Sequence, residues 1–362
     1  MLTLHTVKLR AVSVPLKRPV VSKVGHFDSW PIILCDLQTQ EGPVGRSYLE
    51  PYLAHAIPSI IPAAAGIVER FKGQPLGPID LFDQARRSLS LVGLEGISLA
   101  AVSLIDMAFW DAHAQAAGQP LCVFLGGSPA PVPAYNSNGL WLSDPAGLDE
   151  EASALVAEGG FTGLKLRLGR DALDDDLNAI QNVRAACGNA VKLMVDFNQG
   201  LTLDAALQRC RDLDAEGLYW LEEPIAYDNT SGYRALRERL RTPLQIGENF
   251  WGPRDAAKAL EARACDFIMP DLMRIGGVTG WLRTAAIAAA GGTPFSSHLY
   301  PEFSAHLLRV TETAHWLEWQ DWADPILAEP FRVADGHLHI PDRPGAGIAW
   351  DEDAVARYAL EV

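Results

Sequence analysis

Asp196, Glu222 and Glu248 stand 26 residues apart, each at the end of a short apolar run: VKLMVDFN, LYWLEEP and LQIGEN. Three carboxylates brought to one point repel one another and raise one another's pKa, whereas a divalent cation neutralises them. Hard oxygen ligands that leave further positions open suit Mg²⁺. One acid at the end of a strand is commonly only the cap of the next helix. Three in register, each followed by a turn signal (Asn198-Gln199-Gly200, Pro224, Asn249), point instead to a shared ion.

Other runs end in groups that could handle protons. DFIMPDLM ends in Asp271 and TPFSSHL in His298. A carboxylate delivered to a histidine orients the imidazole and raises its basicity, which is general-base chemistry. Lys165 and Arg167 stand two apart in GLKLRLG, so strand alternation puts both on one face, where charge is costly unless used. HWLEWQ supplies Glu318, a carboxyl that a desolvated setting could keep protonated as a hydrogen-bond donor.

The elements that must position these groups follow from the pattern around them. Apolar runs at 132–138, 163–168, 191–197, 218–222, 244–248, 267–271, 293–298 and 315–319 alternate with Ala/Leu-rich helical segments. Strand–helix alternation implies parallel strands, and eight such units in this length fit a closed barrel, whose strand ends converge on one mouth. Before them, residues 2–44 read as an antiparallel meander with a turn around Lys23 to Ser29. A helix spans 96–117, stopped by Gly118-Gln119-Pro120, and the Pro-rich stretch SPAPVPAY at 128–135 reads as a connection. From 320 onward strand and turn signals return, expected to pack back on the N-terminal part.

The chain has 362 residues, 48% of them hydrophobic, enough for a sizeable core. Its formal charge of -15, with Lys and Arg in no cluster, gives no electrostatic reason to expect nucleic acid or an anionic membrane. An anionic substrate would need a local positive focus. Five scattered cysteines without CxxC spacing (Cys35, Cys122, Cys187, Cys210, Cys265) read as reduced core residues. The N-terminus reads as a strand rather than a signal peptide, no apolar run looks long enough for a span, and a cytoplasmic protein is expected.

The motifs VDFNQ, WLEEP, GEN, PDLMRIGGVTGW and SSHLYPEFSAHLL together resemble the enolase superfamily, and within it the mandelate racemase/muconate lactonizing enzyme family, over nearly the whole chain. The resemblance implies an α/β protein, a (β/α)7β TIM-like barrel with an N-terminal α+β capping domain. On that reading residues 1–129 form the cap, 130–320 the barrel, and 321–362 a segment that packs back on the cap. It also implies a Mg²⁺ that chelates a small carboxylate substrate while a base removes the α-proton, with an enediolate stabilised by the metal. His298 with Asp271 matches the family's dyad, Lys165 the first lysine of a K-x-K motif, and Glu318 an acid that donates to a carboxylate oxygen. Asn198 and Ser137 match polar residues near metal and substrate. A homo-oligomer, often an octamer, is implied as well.

Where mandelate racemase carries the second lysine of K-x-K, its base on the opposite face, this chain has Arg167, a poor general base near neutral pH. The expected reaction is therefore dehydration of an acid sugar to a 2-keto-3-deoxy acid, with His298 removing the α-proton and assisting departure of the β-hydroxyl. The alternative is a racemase or epimerase of a 2-hydroxy acid. Asp271 stands where the muconate-lactonizing branch has a lysine, which disfavours that branch. Lys23 and His26 in the covering loop, Glu50, and Gln320 suit a substrate with several hydroxyls, because buried polar groups need partners. Trp30, Tyr52, Trp141 and Trp319 leave room for an aromatic one.

Overall fold

The computed structural model describes residues 1–361. β1 (Leu2–Ser22), β2 (Gly25–Thr39), β3 (Val44–Leu49) and the short β4 (Pro75–Leu76) make one antiparallel sheet in the order β3-β2-β1-β4. The β1–β2 turn is tighter than expected: Ser22 pairs with Gly25, so only Lys23 and Val24 form the turn and residues 25–29 already belong to β2. Helices α1 (Ile57–Phe71), α2 (Pro78–Ser88), α3 (Ile97–Ala116) and the single turn α4 (Leu121–Phe124) complete this layer.

α3 is long and apolar enough by length and composition to cross a membrane, against the expectation that no run would be. It is a core helix here, with 83% of its apolar window buried inside the protein. α3 also ties this layer to the rest of the chain. Ser103 Oγ donates to Met273 O at 2.7 Å, Trp110 Nε1 donates to Thr279 Oγ1 at 2.9 Å, and Asp106 accepts from Thr279 N and Oγ1. The approach is close enough that a Cβ on Gly277 would lie 2.6 Å from Asp106 Oδ2, and its φ of +63° favours glycine in any case.

The barrel strands are β5 (Val132–Asn136), β6 (Gly163–Arg167), β7 (Lys192–Asp196), β8 (Trp220–Glu222), β9 (Leu244–Ile246), β10 (Phe267–Ile268) and β11 (Leu317–Trp319). Between them run α5 (Leu148–Ala157), α6 (Leu173–Cys187), α7 (Leu203–Leu213), α8 (Thr230–Arg237), α9 (Pro253–Glu261), α10 (Leu272–Ile275), α11 (Gly277–Ala290) and α12 (Pro301–Leu308). Parallel pairing runs from β5 through β10, and β11 pairs back with β5. The seventh run, 293–298, forms no continuous strand. It joins through single parallel bridges, Phe295 to Ile268 and to Ala314, and His298 to Asp271. Such strands are buried on both faces: all five residues of β6, Lys165 and Arg167 included, are buried.

The C-terminal stretch divides. β12 (Arg332–Ala334) and β13 (His337–His339) form a hairpin whose second strand pairs with β5 of the barrel, not with the cap. Further on, Trp350 Nε1 donates to Asp36 at 3.0 Å, Glu352 pairs with Arg10, and Leu360 N donates to Ala11 O, so this part lies against β1 and β2. A helix, α13 (Glu352–Arg357), stands where only strand and turn were expected.

Candidate active site

The C-terminal strand ends form a mouth beneath the cap. Arg167, Asp196 and Glu222 sit at matching positions on three neighbouring strands, because the register pairs Arg167 with Asp196 and Asp196 with Glu222. Glu248 follows two residues past β9. Asp196, Glu222 and Glu248 each offer an oxygen within 4.8 Å of the others, and all three are buried. Asn198 fixes the first of them, donating from its backbone N at 2.7 Å and its Nδ2 at 3.1 Å to Asp196. Glu222 is held between Lys165 Nζ at 2.8 Å and Trp220 Nε1 at 3.0 Å.

Beside the triad, His298 Nδ1 meets Asp271 Oδ2 at 2.8 Å. Asp271 caps α10, accepting from Met273 N at 2.7 Å and Arg274 N at 3.2 Å, so its carboxylate cannot swing. That leaves Nε2 of His298 facing Glu248 at 3.2 Å and Glu318 at 3.8 Å. Lys165 Nζ also reaches Glu318 at 2.5 Å and Asp196 at 3.6 Å, and Arg167 Nη1 lies 3.3 Å from Asp196.

Electrostatics sort these groups. Burial drives Glu222 well above the carboxylate range, with Asp196, Glu248 and Glu318 adding to the push against the pull of Lys165. Burial would lower Lys165, yet Glu222, Glu318 and Asp196 hold it above its ordinary value. Arg167 is likewise raised against burial, chiefly by Asp196. For His298 burial is opposed by Glu248, Glu318 and Asp271, which hold it up at about 9. For Glu318 desolvation pushes the carboxyl up, and Lys165, His298 and Arg167 outweigh it and bring it down to about 2. Its Oε2 takes the N–H of Leu299 at 3.1 Å.

The donor set suits a divalent cation. Asp196, Glu222, Glu223, Glu248, Asp271 and Glu318 crowd the mouth, while its permanent cations among the described residues are Lys165, Arg167 and Arg274. A hard dication balances that excess and matches all-carboxylate oxygen donors.

Above the mouth lies a cavity of about 420 Å³, bounded by Phe27, Trp30 and Tyr52 from the cap and by Arg167, Glu248 and His298 from the barrel. The expected contacts divide at this cavity. Tyr52, Asn198 and Gln320 line it; Lys23, His26, Glu50 and Ser137 do not. The tight turn is the reason for the first two. Ser22, Val24 and Phe27 point inward, Lys23 lies across Gly169 and Gly200, and exposed His26 pairs with Asp28 at 3.1 Å. Glu50 sits behind the wall, accepting from Trp30 Nε1 at 3.1 Å, and burial pushes it up to about 8. Ser137 is buried beneath Gln320, whose Nε2 donates to its carbonyl at 3.2 Å. Trp141 lines the cavity, but Trp319, on the opposite face of β11 from Glu318, does not, and Trp322 takes its place.

Sequence reasoning missed several neighbours. Glu223, fully buried beside the triad, holds Asn249 Nδ2 at 2.6 Å and has a φ of +35°. Arg274 donates to Glu248 O at 2.8 Å and stacks over Tyr52, 4.6 Å from the ring centroid. Both lie inside quoted motifs, WLEEP and PDLMRIGG, and that was the available signal. Left-handed backbone recurs around the mouth, at Leu140, Asn198, Gln199, Glu223, Leu299 and Tyr300, and at Tyr52 above it. Non-glycine residues in this region are strained, and such strain gathers at functional sites.

An acidic triad with an adjacent His–Asp pair at a barrel mouth under an α+β cap defines a class of metal-assisted proton-transfer enzymes. Comparison with known proteins makes the class specific. Residues 4–126 match the mandelate racemase / muconate lactonizing enzyme N-terminal domain, and residues 147–354 the enolase C-terminal domain-like family. An enolase from the alphaproteobacterium BAL199, solved with bound Mg, is 53% identical with a TM-score of 0.98, covering 99% of this chain and 100% of that one. An enolase from Bradyrhizobium, solved with magnesium and mandelic acid, is 43% identical with a TM-score of 0.95, covering 99% of each. The L-talarate/galactarate dehydratase of Salmonella typhimurium is 30% identical over 359 residues, 96% of this chain and 89% of that protein. The chain belongs to the mandelate racemase/muconate lactonizing enzyme family of the enolase superfamily. It is an enzyme of the superfamily's lyase or isomerase kind.

Proposed function

We propose that this protein removes the proton α to the carboxylate of a 2,3-dihydroxy acid and expels the 3-hydroxyl as water, giving a 2-keto-3-deoxy acid. The observation that carries this reading is the Asp271–His298 pair at 2.8 Å, with Nε2 left facing the triad. Asp271 holds Nδ1 as the donor, so Nε2 is the basic nitrogen; a dication at the triad would offset the pull of Glu248 that raises this imidazole and so free Nε2 to accept a proton. When bound by Asp196, Glu222 and Glu248, Mg²⁺ supplies the positive charge that stabilises the substrate carboxylate as the α-proton leaves. Lys165 adds a second fixed charge on that side, and Asn198 keeps Asp196 aimed.

Arg167 decides the outcome. Held cationic by Asp196 and stacked 4.9 Å over Trp141, it orients an anion and does not accept a proton. With one base, the proton taken by His298 is returned from its imidazolium to the departing hydroxyl. Relatives named as talarate/galactarate and arabinonate dehydratases support loss of water from such a 2,3-dihydroxy acid unit, the part of an acid sugar that this chemistry uses. The same reading divides the chain into cap (1–129), barrel (130–320) and closing segment (321–362), and takes a homo-oligomer as the working unit, which light scattering reads out.

One observation favours a second reading. Mandelic acid, present in the Bradyrhizobium neighbour, has no β-hydroxyl to lose, so a 2-hydroxy acid could instead be racemised or epimerised. Reaction in D₂O separates the two: appearance of keto acid supports dehydration, and deuterium at an inverted C2 with all oxygen retained supports the racemase.

A further inference from the structure

The cavity above the mouth is walled by a belt of rings. Phe27 meets Trp30 edge-on at 5.4 Å, Trp30 meets Tyr52 at 5.4 Å and Trp322 at 4.3 Å, and Trp322 reaches Trp141 at 6.4 Å. The belt runs from the cap round to the barrel and presents carbon. Its polar atoms are turned away or already engaged. Trp30 Nε1 donates outward to Glu50, and Tyr52 OH lies 3.5 Å from Asp271. Among the amides at the floor, Gln320 Nε2 is committed to Ser137, Asn198 Nδ2 to Asp196 and Asn249 Nδ2 to Glu223.

Among the buried atoms of the residues that line this cavity, those left unmet are Gln320 Oε1, Trp141 Nε1, and Nε and Nη1 of Arg167. All lie on the barrel side, where the reacting carbons and their hydroxyls must sit. The cap side offers little beyond the Ser22 hydroxyl, which already accepts from Val24 N. A polyol tail reaching toward the cap would set its hydroxyls against rings and aliphatic carbon, and a buried hydroxyl without a partner is strongly disfavoured.

We propose that the substrate carries a ring-sized apolar substituent beyond its reacting carbons: an aryl or branched-alkyl 2,3-dihydroxy acid rather than a polyhydroxy acid. This rests on the α-proton reading above and narrows it. For R–CH(OH)–CH(OH)–COO⁻, the C2 proton passes to His298 Nε2, and the C2–H electron pair forms the C2–C3 double bond. The C3–O bond breaks, and the imidazolium proton leaves with that oxygen as water. The enol then tautomerises to R–CH₂–CO–COO⁻. No oxidant or reductant enters.

The test uses the full chain with Mg²⁺ and two probes, 2,3-dihydroxy-3-phenylpropanoate and gluconate, following C2 deuterium exchange and keto-acid formation. The expected result is phenylpyruvate formed with kcat/KM at least about tenfold above that for gluconate. Trp30→Leu is expected to raise KM for the aryl acid by about tenfold with kcat little changed. Val24→Asn, on the exposed rim and so harmless to folding, should raise the same KM in a smaller measure. Faster turnover of gluconate than of the aryl acid overturns the apolar substituent and leaves the His298 chemistry standing. Exchange on neither probe overturns both. Exchange on the aryl acid without loss of water supports the substituent and shifts the product to the inverted hydroxy acid.

Discussion

Beneath the mouth the barrel strands bring Tyr135, Met194, Trp220 and Trp316 into an aromatic-rich plug, with Tyr219, Phe267 and His315 packed against it. At their C-terminal ends the same strands present buried carboxylates, two strand-borne cations and a chain of left-handed backbone positions. The plug satisfies packing, with Tyr135 edge-on to Trp220 at 5.3 Å; the mouth leaves like charges a few ångströms apart. One end can hold strained chemistry because the other holds the strands. The two meet on β8, where Trp220 and Glu222, two apart, both point inward and share a 3.0 Å hydrogen bond.

The sharpest way to break this contrast is to remove charge from the mouth. Glu222→Gln is expected to weaken Mg²⁺ binding by at least about 100-fold in calorimetry, more than loss of an outer partner would. The metal-free variant should melt no lower than the metal-free parent, because burial and the neighbouring carboxylates already push Glu222 toward the neutral form that glutamine mimics. A lower melting temperature would mean that the mouth is not the strained end. Cutting the plug does the reverse. Trp220→Ala should lose about 3–5 kcal/mol in urea unfolding. Trp220→Phe, which keeps a ring but drops the bond to Glu222, should cost only about 1 kcal/mol, yet lower Mg²⁺ affinity by about tenfold. Saturating the parent with Mg²⁺ at about 100 times Kd should add about 2.7 kcal/mol of stability, reversed by a chelator.

The smallest effect is on pH. His315 in the plug bonds Tyr219 OH at 2.7 Å and Ser296 Oγ at 3.3 Å; burial, helped by Lys192, holds it down to about 4. The unfolded chain, with histidine near about 6.5, takes up this proton first as pH falls. The plug's contribution is thus full above that value and declines as pH drops toward 4. In thermal melts from pH 7 to 4.5, His315→Gln should lose less stability than the parent. An equal loss would remove His315 from the account.

The triad was legible because a parallel barrel repeats one strand and one helix per unit, so equal spacing in sequence becomes adjacency at one end. Asp271 and His298 followed by the same logic, even though the seventh run pairs through single bridges only. What could not be read depended on backbone detail and on charge summed over many groups. A two-residue turn in place of a wider one moved Lys23 and His26 off the cavity. For Glu318 burial pushes one way and Lys165, His298 and Arg167 pull the other, a balance that residue type alone does not give. The left-handed φ of Glu223 has no signature in residue type, since glutamate rarely adopts it. The pairing of β13 with β5 joins residues about 200 positions apart, and the local pattern of HLH gives no hint of its partner.

The central claim is that His298, oriented by Asp271 beside a metal-binding triad, takes the α-proton. Its most direct measurement is the rate at which C2 of a bound 2-hydroxy acid exchanges into D₂O, followed by proton NMR in the parent and in His298→Asn, with and without Mg²⁺. Exchange that requires Mg²⁺ and falls by about 10²- to 10⁴-fold in His298→Asn is the expected result. Exchange at the parental rate in His298→Asn, with Mg²⁺ still bound, would contradict it.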